Sequence, residues 1–355
     1  MDDMLDLVLS GARLDTAIAK VRATLRRGDR RLVARAEALV RQDPGMLGKG
    51  LLSVDGVTYH TGSFATPSLA ELTTACQPLR GHGSSRLSCL TGDGVLTDVG
   101  ALQAVASHGT TFQVASQFNC LESPTGAWLV PVSDYLHDPT QGPRAAVSAF
   151  PAALLRHYSA PGPDGRFIQV TNGPQLDLLA DVCPGHVRNG YLTFRHDAAA
   201  RVVAAALDAR PDALRVGVAT DAQVVLGADW DGAVAGTPLI TQVFTSTVAA
   251  GMYSTTPLAG AALDACRTLL RGAYLGTLLA AASAGRPRVV LTLIGGGVFG
   301  NPVTAIVDAI AWAFDLTADL GLDVILNARR AAPDELAPLL DRIHDSTGVV
   351  RALPA

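Results

Sequence analysis

Arg288–Ile294 (RVVLTLI), Gly295–Gly300 (GGGVFG), Asn301-Pro302 and the apolar run from Val303 to about Asp319 form the stretch that decides the fold. The first segment is almost continuously β-branched or leucine, which predicts a strand buried on both faces. GGGVFG predicts a loop. The run after it predicts a helix, with Asn301 placed to cap it, Pro302 in its first turn and Gly321 marking its stop. Toward the C-terminus, Leu322–Asn327 (LDVILN) predicts another strand, Pro333–Ile343 another helix and Gly348–Leu353 a last short strand. Upstream, Leu87–Leu90, Thr111–Ser116, Phe167–Thr171, Leu214–Ala219 and Ile240–Thr245 are candidate strands, and Arg144–Tyr158 is compatible with a helix. Short apolar runs divided by Gly, Pro, Asp and Asn, with helical stretches between them, mark an α/β domain from about residue 51 to the end.

Residues 1–50 have a different texture. From Asp6 to about Gln42, Leu7, Leu14, Ile18, Val21, Leu25, Leu32, Ala36 and Leu39 recur at intervals of three, four and seven, as in an amphipathic helical pair. This segment is expected to be an N-terminal helical appendage to a domain spanning 51–355. Its arginines, Arg22, Arg26, Arg27, Arg30, Arg31 and Arg35, read as a solvated face.

Composition excludes several classes of function. A chain of 355 residues with 48% hydrophobic and 17% charged residues is folded, neither disordered nor a coiled coil. Its net charge of −4 supplies no field for nucleic acid or an anionic membrane. Five widely spaced cysteines without a C-x-x-C pair speak against structural zinc and a disulfide framework. The N-terminus is acidic where a signal peptide is basic, and no apolar run reaches the ~18 residues of a membrane span. A cytoplasmic location is expected.

Three constellations carry candidate chemistry. In the glycine loop, backbone N–H groups can approach a ligand closely and the following helix adds the positive end of its dipole, an arrangement suited to a diphosphate. No Lys-Ser/Thr follows the last glycine, so this is not a Walker A loop. Gly295, Gly297 and Gly300 do match the dinucleotide fingerprint, and Arg329 and Arg330 are placed to take a 2′-phosphate. Too few residues follow Arg330, however, for a Rossmann domain that such a motif opens. The second constellation is Val114–Glu122 (VASQFNCLE) with the segment Asp138–Pro143, in which Gln117, Asn119 and Gln141 offer amides for sugar hydroxyls and Glu122 a carboxylate. Its alternative reading is that the amides brace loop backbones. The third is Asp221, Asp229, Trp230 and Asp231, leading into Thr237–Tyr253, where a carboxylate can orient a water for attack on an anomeric carbon. Cys120 with His137 permits a thiol-hydrolase reading, against the commoner one of a buried apolar Cys.

LTLIGGGVFGNPVTAIVDAIAWA resembles the diphosphate loop and helix of macrodomains, and LTGDG (Leu90–Gly94) is similar to their early Gly-Asp. ASQFNCLE (Ala115–Glu122), Tyr135 with HDPTQGP (His137–Pro143), NGYL (Asn189–Leu192) and QVFTS (Gln242–Ser246) resemble the atypical, MavL-like macrodomain branch, whose members remove ADP-ribose from modified ubiquitin. The resemblance spans roughly Leu87 to Asn327. It implies a three-layer α/β/α fold with a mixed central sheet and an ADP-ribosylhydrolase acting on an ADP-ribosylated protein, with ubiquitin as one such target. Carried over by position, Gly295, Gly296, Gly297, Val298, Phe299 and Gly300 wrap the diphosphate, with Phe299 against the distal ribose or adenine. Asn301 begins the helix, Gln117 and Asn119 meet the ribose, and the Asp138–Gly142 loop, with Thr140 and Gln141, forms the other wall. The catalytic acid is one of Glu122, Asp138, Asp229 and Asp231. No organic cofactor is implied, and no ligand cluster supports a divalent cation. Where that branch has a Tyr-Glu-Ala-Thr-like segment, this chain has Tyr274-Leu275-Gly276-Thr277 and lacks the carboxylate. The alternatives are a non-catalytic ADP-ribose or nucleotide reader using the same loops and, more distantly, an NADP-dependent oxidoreductase.

Overall fold

Val289–Leu291, before the glycine loop, and Val324–Leu326, after its helix, are buried without alternation, as strands covered on both faces must be. They lie side by side in an eight-stranded sheet of the computed structural model, which describes residues 4–11, 26–27, 31–93, 97–227, 232–233, 238–332 and 334–353. In chain order its strands are β1 (Ser63–Ala65), β2 (Arg86–Thr91), β3 (Thr111–Ala115), β4 (Gly217–Gln223), β5 (Leu239–Thr245), β6 (Arg288–Thr292), β7 (Asp323–Arg329) and β8 (Val350–Ala352). Across the sheet they run β8-β2-β7-β6-β3-β5-β4-β1. Those from β8 to β5 are parallel, and β4 is antiparallel to both of its neighbours. The sheet is therefore mixed.

The helices are α1 (Met4–Ser10), α2 (Arg31–Gln42), α3 (Leu69–Cys76), α4 (Val99–Val105), α5 (Gln141–Ser148), α6 (Phe150–Tyr158), α7 (Asp197–Ala209), α8 (Ala261–Ser283), α9 (Val303–Leu316) and α10 (Ala337–Asp345). Two glutamines show that they cover both faces. Gln242 is the register partner of Phe112, and Val243 that of Gln113, so Gln242 and Gln113 point to opposite sides of the sheet. The Gln242 amide donates to Ala145 O of α5 (2.7 Å), whereas the Gln113 amide donates to Thr277 Oγ1 of α8 (3.1 Å). The sheet thus lies between α4 and α5 on one side and α8, packed with α3, α7 and α9, on the other.

Several boundaries depart from the sequence reading. Of Phe167–Thr171 only Phe167 is in a strand, Gly165–Phe167, which pairs with Ala160–Gly162 outside the main sheet. Gln169 N–H bonds back to His157 O instead of to a ladder. The helix expected over Arg144–Tyr158 is two, because Ala149 leaves the helical region (φ −111°, ψ 50°). Pro151 then sits in the first turn of α6, where its missing N–H is no loss. The strand expected over Leu214–Ala219 begins at Gly217, and α9 ends at Leu316, short of Asp319. The last helix begins at Ala337; Pro333, its expected start, lies outside the described residues.

The N-terminal segment shares the main core. Leu5, Val8 and Leu9 of α1 and Val33, Ala36 and Val40 of α2 belong to the same hydrophobic cluster as the sheet. Arg288 of β6 pairs with Asp6 (2.7 Å), and the Arg351 guanidinium of β8 donates to Leu9 O and Ser10 O. Leu39, expected on the buried stripe, is at the surface, while Glu37 is only 3% exposed. A carboxylate has displaced leucine there because it serves backbone donors of another loop. Leu14, Ile18, Val21 and Leu25 lie outside the described residues.

Candidate active site

Four adjacent parallel strands, β7-β6-β3-β5, end on one side of the sheet, where open α/β sheets bind ligands. Their C-terminal residues line a cavity of about 770 Å³. Ala115 ends β3 and Ser116 and Gln117 follow it, Thr247 follows β5, Thr292 ends β6 and Leu293 to Phe299 follow it, and Asn327 to Ala331 close the far end. Glu122, Ser123, Pro124 and Asp138 to Pro143 supply the facing wall, with Tyr191 and Tyr253 beside them.

The glycine loop is held from beneath. The Tyr274 hydroxyl of α8 donates to Thr292 O (2.7 Å) and accepts from Ile294 N–H (3.1 Å), clamping the exit from β6. So the Tyr-Leu-Gly-Thr departure keeps a loop anchor in Tyr274 and a sheet contact in Thr277. Gly295 has φ +74°, and a Cβ there would lie 2.5 Å from Asn301 Oδ1. Asn301 does not cap α9, whose N-cap is Pro302. It is buried because its amide donates to Val248 O (2.9 Å) and Phe299 O (3.2 Å), tying the glycine loop to the segment after β5. Gly300 N–H bonds Gly297 O and Asn301 N–H bonds Gly295 O. The N–H groups of Gly297, Val298 and Phe299 have no acceptor among the described residues. Three free donors in a row, in the glycine loop that leads into the 14-residue helix α9, are the kind of donor set an anion takes. Tyr274→Phe should unclamp it and leave Ile294 N–H unpaired, lowering unfolding free energy by about 1–3 kcal/mol in denaturant titration.

Two of the four candidate acids meet in this cavity. Glu122 is 3% exposed, and its N–H donates to the Tyr135 hydroxyl (3.0 Å). Burial pushes its carboxyl up to about 8; a Ser116 hydrogen bond and the Arg156 charge oppose this, and the Asp138 charge reinforces it. Asp138 Oδ1 accepts from both N–H and hydroxyl of Thr140 (2.9 and 2.7 Å), which fixes its turn ahead of α5. Asp229 and Asp231 lie outside the described residues, as does Trp230. Asp221 is engaged by Arg286 (2.8 Å). Burial pushes the Cys120 thiol up to about 12, which leaves no thiolate for the thiol-hydrolase reading.

Gly142 allows the two walls to approach. A Cβ on it would stand 2.2 Å from Ala115 O and 2.9 Å from Glu122 Oε2. Gly142→Ala should therefore force β3 and Glu122 away from α5, at a cost of about 1–3 kcal/mol in denaturant titration.

The amides have partners within the protein, and Gln117 and Gln141 line the cavity. Gln117 lines the cavity, but its Oε1 accepts from Ser123 N–H (2.9 Å) and its Nε2 donates to Ser123 O (3.3 Å). Gln141 Oε1 accepts from Val99 N–H (2.9 Å) and its Nε2 donates to Asp98 (3.3 Å). Asn119 stands behind the wall, accepting from Leu121 N–H and donating to Gln175. All three brace loop backbones. Gly300 and Asn301 also lie outside the cavity lining, whereas Gly295, Gly296, Gly297, Val298, Phe299, Thr140 and Gly142 are in it.

The structure adds residues that the sequence did not single out. Arg156 is wholly buried; its Nε donates to Cys120 O (2.7 Å) and its guanidinium lies 4.0 Å from the centroid of the Phe244 ring. The signal was an arginine inside an apolar helical stretch. Tyr191, Tyr253 and Phe299 form an aromatic trio with centroids 5.3–5.6 Å apart. Glu122 Oε1, Thr292 Oγ1 and Asn327 Oδ1 are buried without a partner among the described residues, and all three residues line the cavity. Unspent buried polar atoms gathered in one place are what a ligand satisfies. Arg329 and Arg330 at the rim both pair with Asp93. Among the described residues no group of three or more His, Cys, Asp or Glu is placed to hold a metal, and no helix is long and apolar enough to cross a membrane.

No protein-family model matches the sequence, and no curated protein matches it. Solved structures do. A poly(ADP-ribose) glycohydrolase from Thermomonospora curvata is similar over 88% of this chain and 99% of its own, with 14% identity and a TM-score of 0.43. A poly(ADP-ribose) glycohydrolase from Deinococcus radiodurans, in complex with ADP-ribose, is similar over 80% of this chain and 95% of its own, with 12% identity and a TM-score of 0.43.

Proposed function

We propose that the cavity binds ADP-ribose and that the chain is an ADP-ribosylhydrolase, cleaving the bond between C1″ of the distal ribose and an acceptor side chain. One observation carries the reading: a single cavity combines the free N–H groups of the glycine loop and a buried carboxyl that keeps its proton near neutrality. The diphosphate takes the N–H groups of Gly297, Val298 and Phe299 in the loop that leads into α9. Glu122, protonated below about 8, gives its proton to the departing group. The negative charge of Asp138 steadies the oxocarbenium-like state and orients the water that adds to C1″, whose proton passes to the carboxylate that Glu122 has become. The proton thus comes from Glu122, which burial keeps protonated, and the charge from a different carboxyl group.

The rival reading is a reader module that binds the same ligand without turnover. A carboxyl held protonated in the cavity favours the hydrolase, since recognition of an anionic ligand has no use for it. The oxidoreductase reading loses support because the two arginines offered to a 2′-phosphate are engaged by Asp93. An ADP-ribosylated protein is the proposed substrate, and ubiquitin enters through the sequence resemblance.

The test is calorimetric titration of the full chain with ADP-ribose. It is followed by incubation with mono-ADP-ribosylated proteins, ubiquitin among them, and with poly(ADP-ribose), reading released ADP-ribose by mass spectrometry. Binding with release is the expected result, and which substrate releases it defines the acceptor. Binding without release from any of them identifies a reader, and absence of binding rejects both readings.

A further inference from the structure

We propose that Glu37, on the N-terminal helix α2, is a positioning residue for the catalytic wall of the cavity. It acts through the 3₁₀ turn Val132–His137, which ends against Asp138. The inference rests on the hydrolase reading for its effect on turnover, but the contact itself is independent of that reading.

That turn begins after Pro131 and has no side-chain cap of its own. The missing acceptors come from a residue some ninety-five positions upstream. Glu37 Oε1 accepts from Val132 N–H (2.7 Å) and Oε2 from Ser133 N–H (3.0 Å), a bidentate grip on the first two donors of the turn. Oε1 also accepts the Tyr158 hydroxyl (2.6 Å), and Arg41 donates to that same hydroxyl (2.9 Å). Three donors around one buried carboxylate outweigh its burial and hold it below the usual carboxylate range.

What the grip controls lies at the other end of the turn. Asp138 N–H bonds Tyr135 O, so Asp138 is the residue that closes it. Tyr135 is buried, and its hydroxyl accepts from the backbone N–H of Glu122. One short turn therefore touches both carboxyl residues, one through its backbone end and the other through a side chain. Fixing its first two N–H groups fixes the separation of the proton donor from the stabilising charge. Among the described residues the titratable and charged groups facing Glu37 are Arg41 from its own helix, Tyr135 from the turn and Tyr158, with His157 beside it, from α6. Helix α2 thus joins the site's architecture through the Glu37 carboxylate.

The experiment compares the full-length wild type with Glu37→Gln and Glu37→Asp. Gln keeps the size and the acceptor at one atom but turns an NH₂ toward an N–H. Hydrogen exchange gives the direct readout. The amides of Val132, Ser133 and Asp138 should lose protection at least tenfold in Glu37→Gln, with β6 and β7 unchanged and partial recovery in Glu37→Asp. In turnover, kcat should fall about tenfold or more while KM stays within about threefold, and the alkaline limb set by Glu122 should shift. Unchanged protection at those amides, or protection lost uniformly across the sheet, would overturn the proposal. A wild type that releases no ADP-ribose rejects the hydrolase reading alone, because exchange still decides the contact. A wild type that does, beside a Glu37→Gln chain with unaltered kcat and pH profile, rejects the positioning role.

Discussion

Glu122→Gln is expected to lower the release of ADP-ribose by roughly 10²–10⁴-fold, the usual worth of a positioned acid, while ADP-ribose binding stays within about threefold. Gln fills the same space against Gly142 and keeps the backbone bond to Tyr135, so the cavity is preserved and only the transferable proton is lost. The wild type should also show a matching pH dependence. Its acid must be protonated to act, so turnover is retained below about 8 and falls by roughly tenfold per pH unit above it. Stability carries the same signature. The folded carboxyl sits at about 8 against an ordinary 4.5, so folding favours the protonated form. The stability linked to it is full in acid and is lost as pH rises from about 4.5 through about 8. Glu122→Gln cannot ionise, and should therefore melt several degrees above the wild type at pH 8 to 9 and level with it near pH 4. Calorimetric titration, an activity profile and thermal melts across that range check the three parts separately. A variant with wild-type turnover would remove Glu122 from the chemistry and leave the cavity as a reader's.

Gly297→Glu is expected to abolish ADP-ribose binding, by a factor of about 10² or more, without unfolding the chain. Nothing lies within 4 Å of a Cβ built at Gly297, and the residue lines the cavity, so the side chain enters at little steric cost to the fold. There it occupies the place of the diphosphate and brings a like charge to it, a penalty of about 3 kcal/mol or more at short range. Gly297→Ala, small and neutral, should bind nearly as the wild type does and so separates loss of room from loss of glycine. Gly295 could not serve, because its positive φ and the approach of Asn301 Oδ1 make any side chain there a folding defect. Calorimetry with a parallel melt is sufficient. Undiminished binding by a folded Gly297→Glu chain would move the ligand out of the glycine loop.

The segments in which sequence succeeded share one property. In RVVLTLI-GGGVFG-NP and the helix after it, a strand, a tight loop and a helix follow one another directly, so local rules of periodicity, glycine freedom and proline position are enough. The α/β class and the strand, glycine loop and helix in succession were therefore legible. The Asp138–Gly142 segment, expected as a wall, and Glu122, expected as a candidate acid, both line the cavity, because ASQFNCLE and HDPTQGP flank strand and helix ends that the sheet brings to one edge. What local rules left open was the partners of the amides. Asn301, Gln117, Asn119 and Gln141 are of the residue types that bind ligands, and each engages a backbone group, while Gln117 and Gln141 also line the cavity. Side-chain chemistry is visible in a sequence, but its commitments are not.

By itself, then, the sequence determined the α/β class, the glycine loop ahead of a helix and a short list of candidate carboxyl groups. These depend on neighbours within one or two elements. Tertiary structure alone decided which carboxyl keeps its proton, since the state of Glu122 depends on burial and on Arg156. It also decided that Tyr274 clamps the loop and that Glu37 caps a turn on the opposite wall. Those partners are separated by tens of residues, and no local periodicity encodes them. Only the packing of helices on both faces of the sheet removes the water that would otherwise satisfy each group, and makes the choice of partner unique.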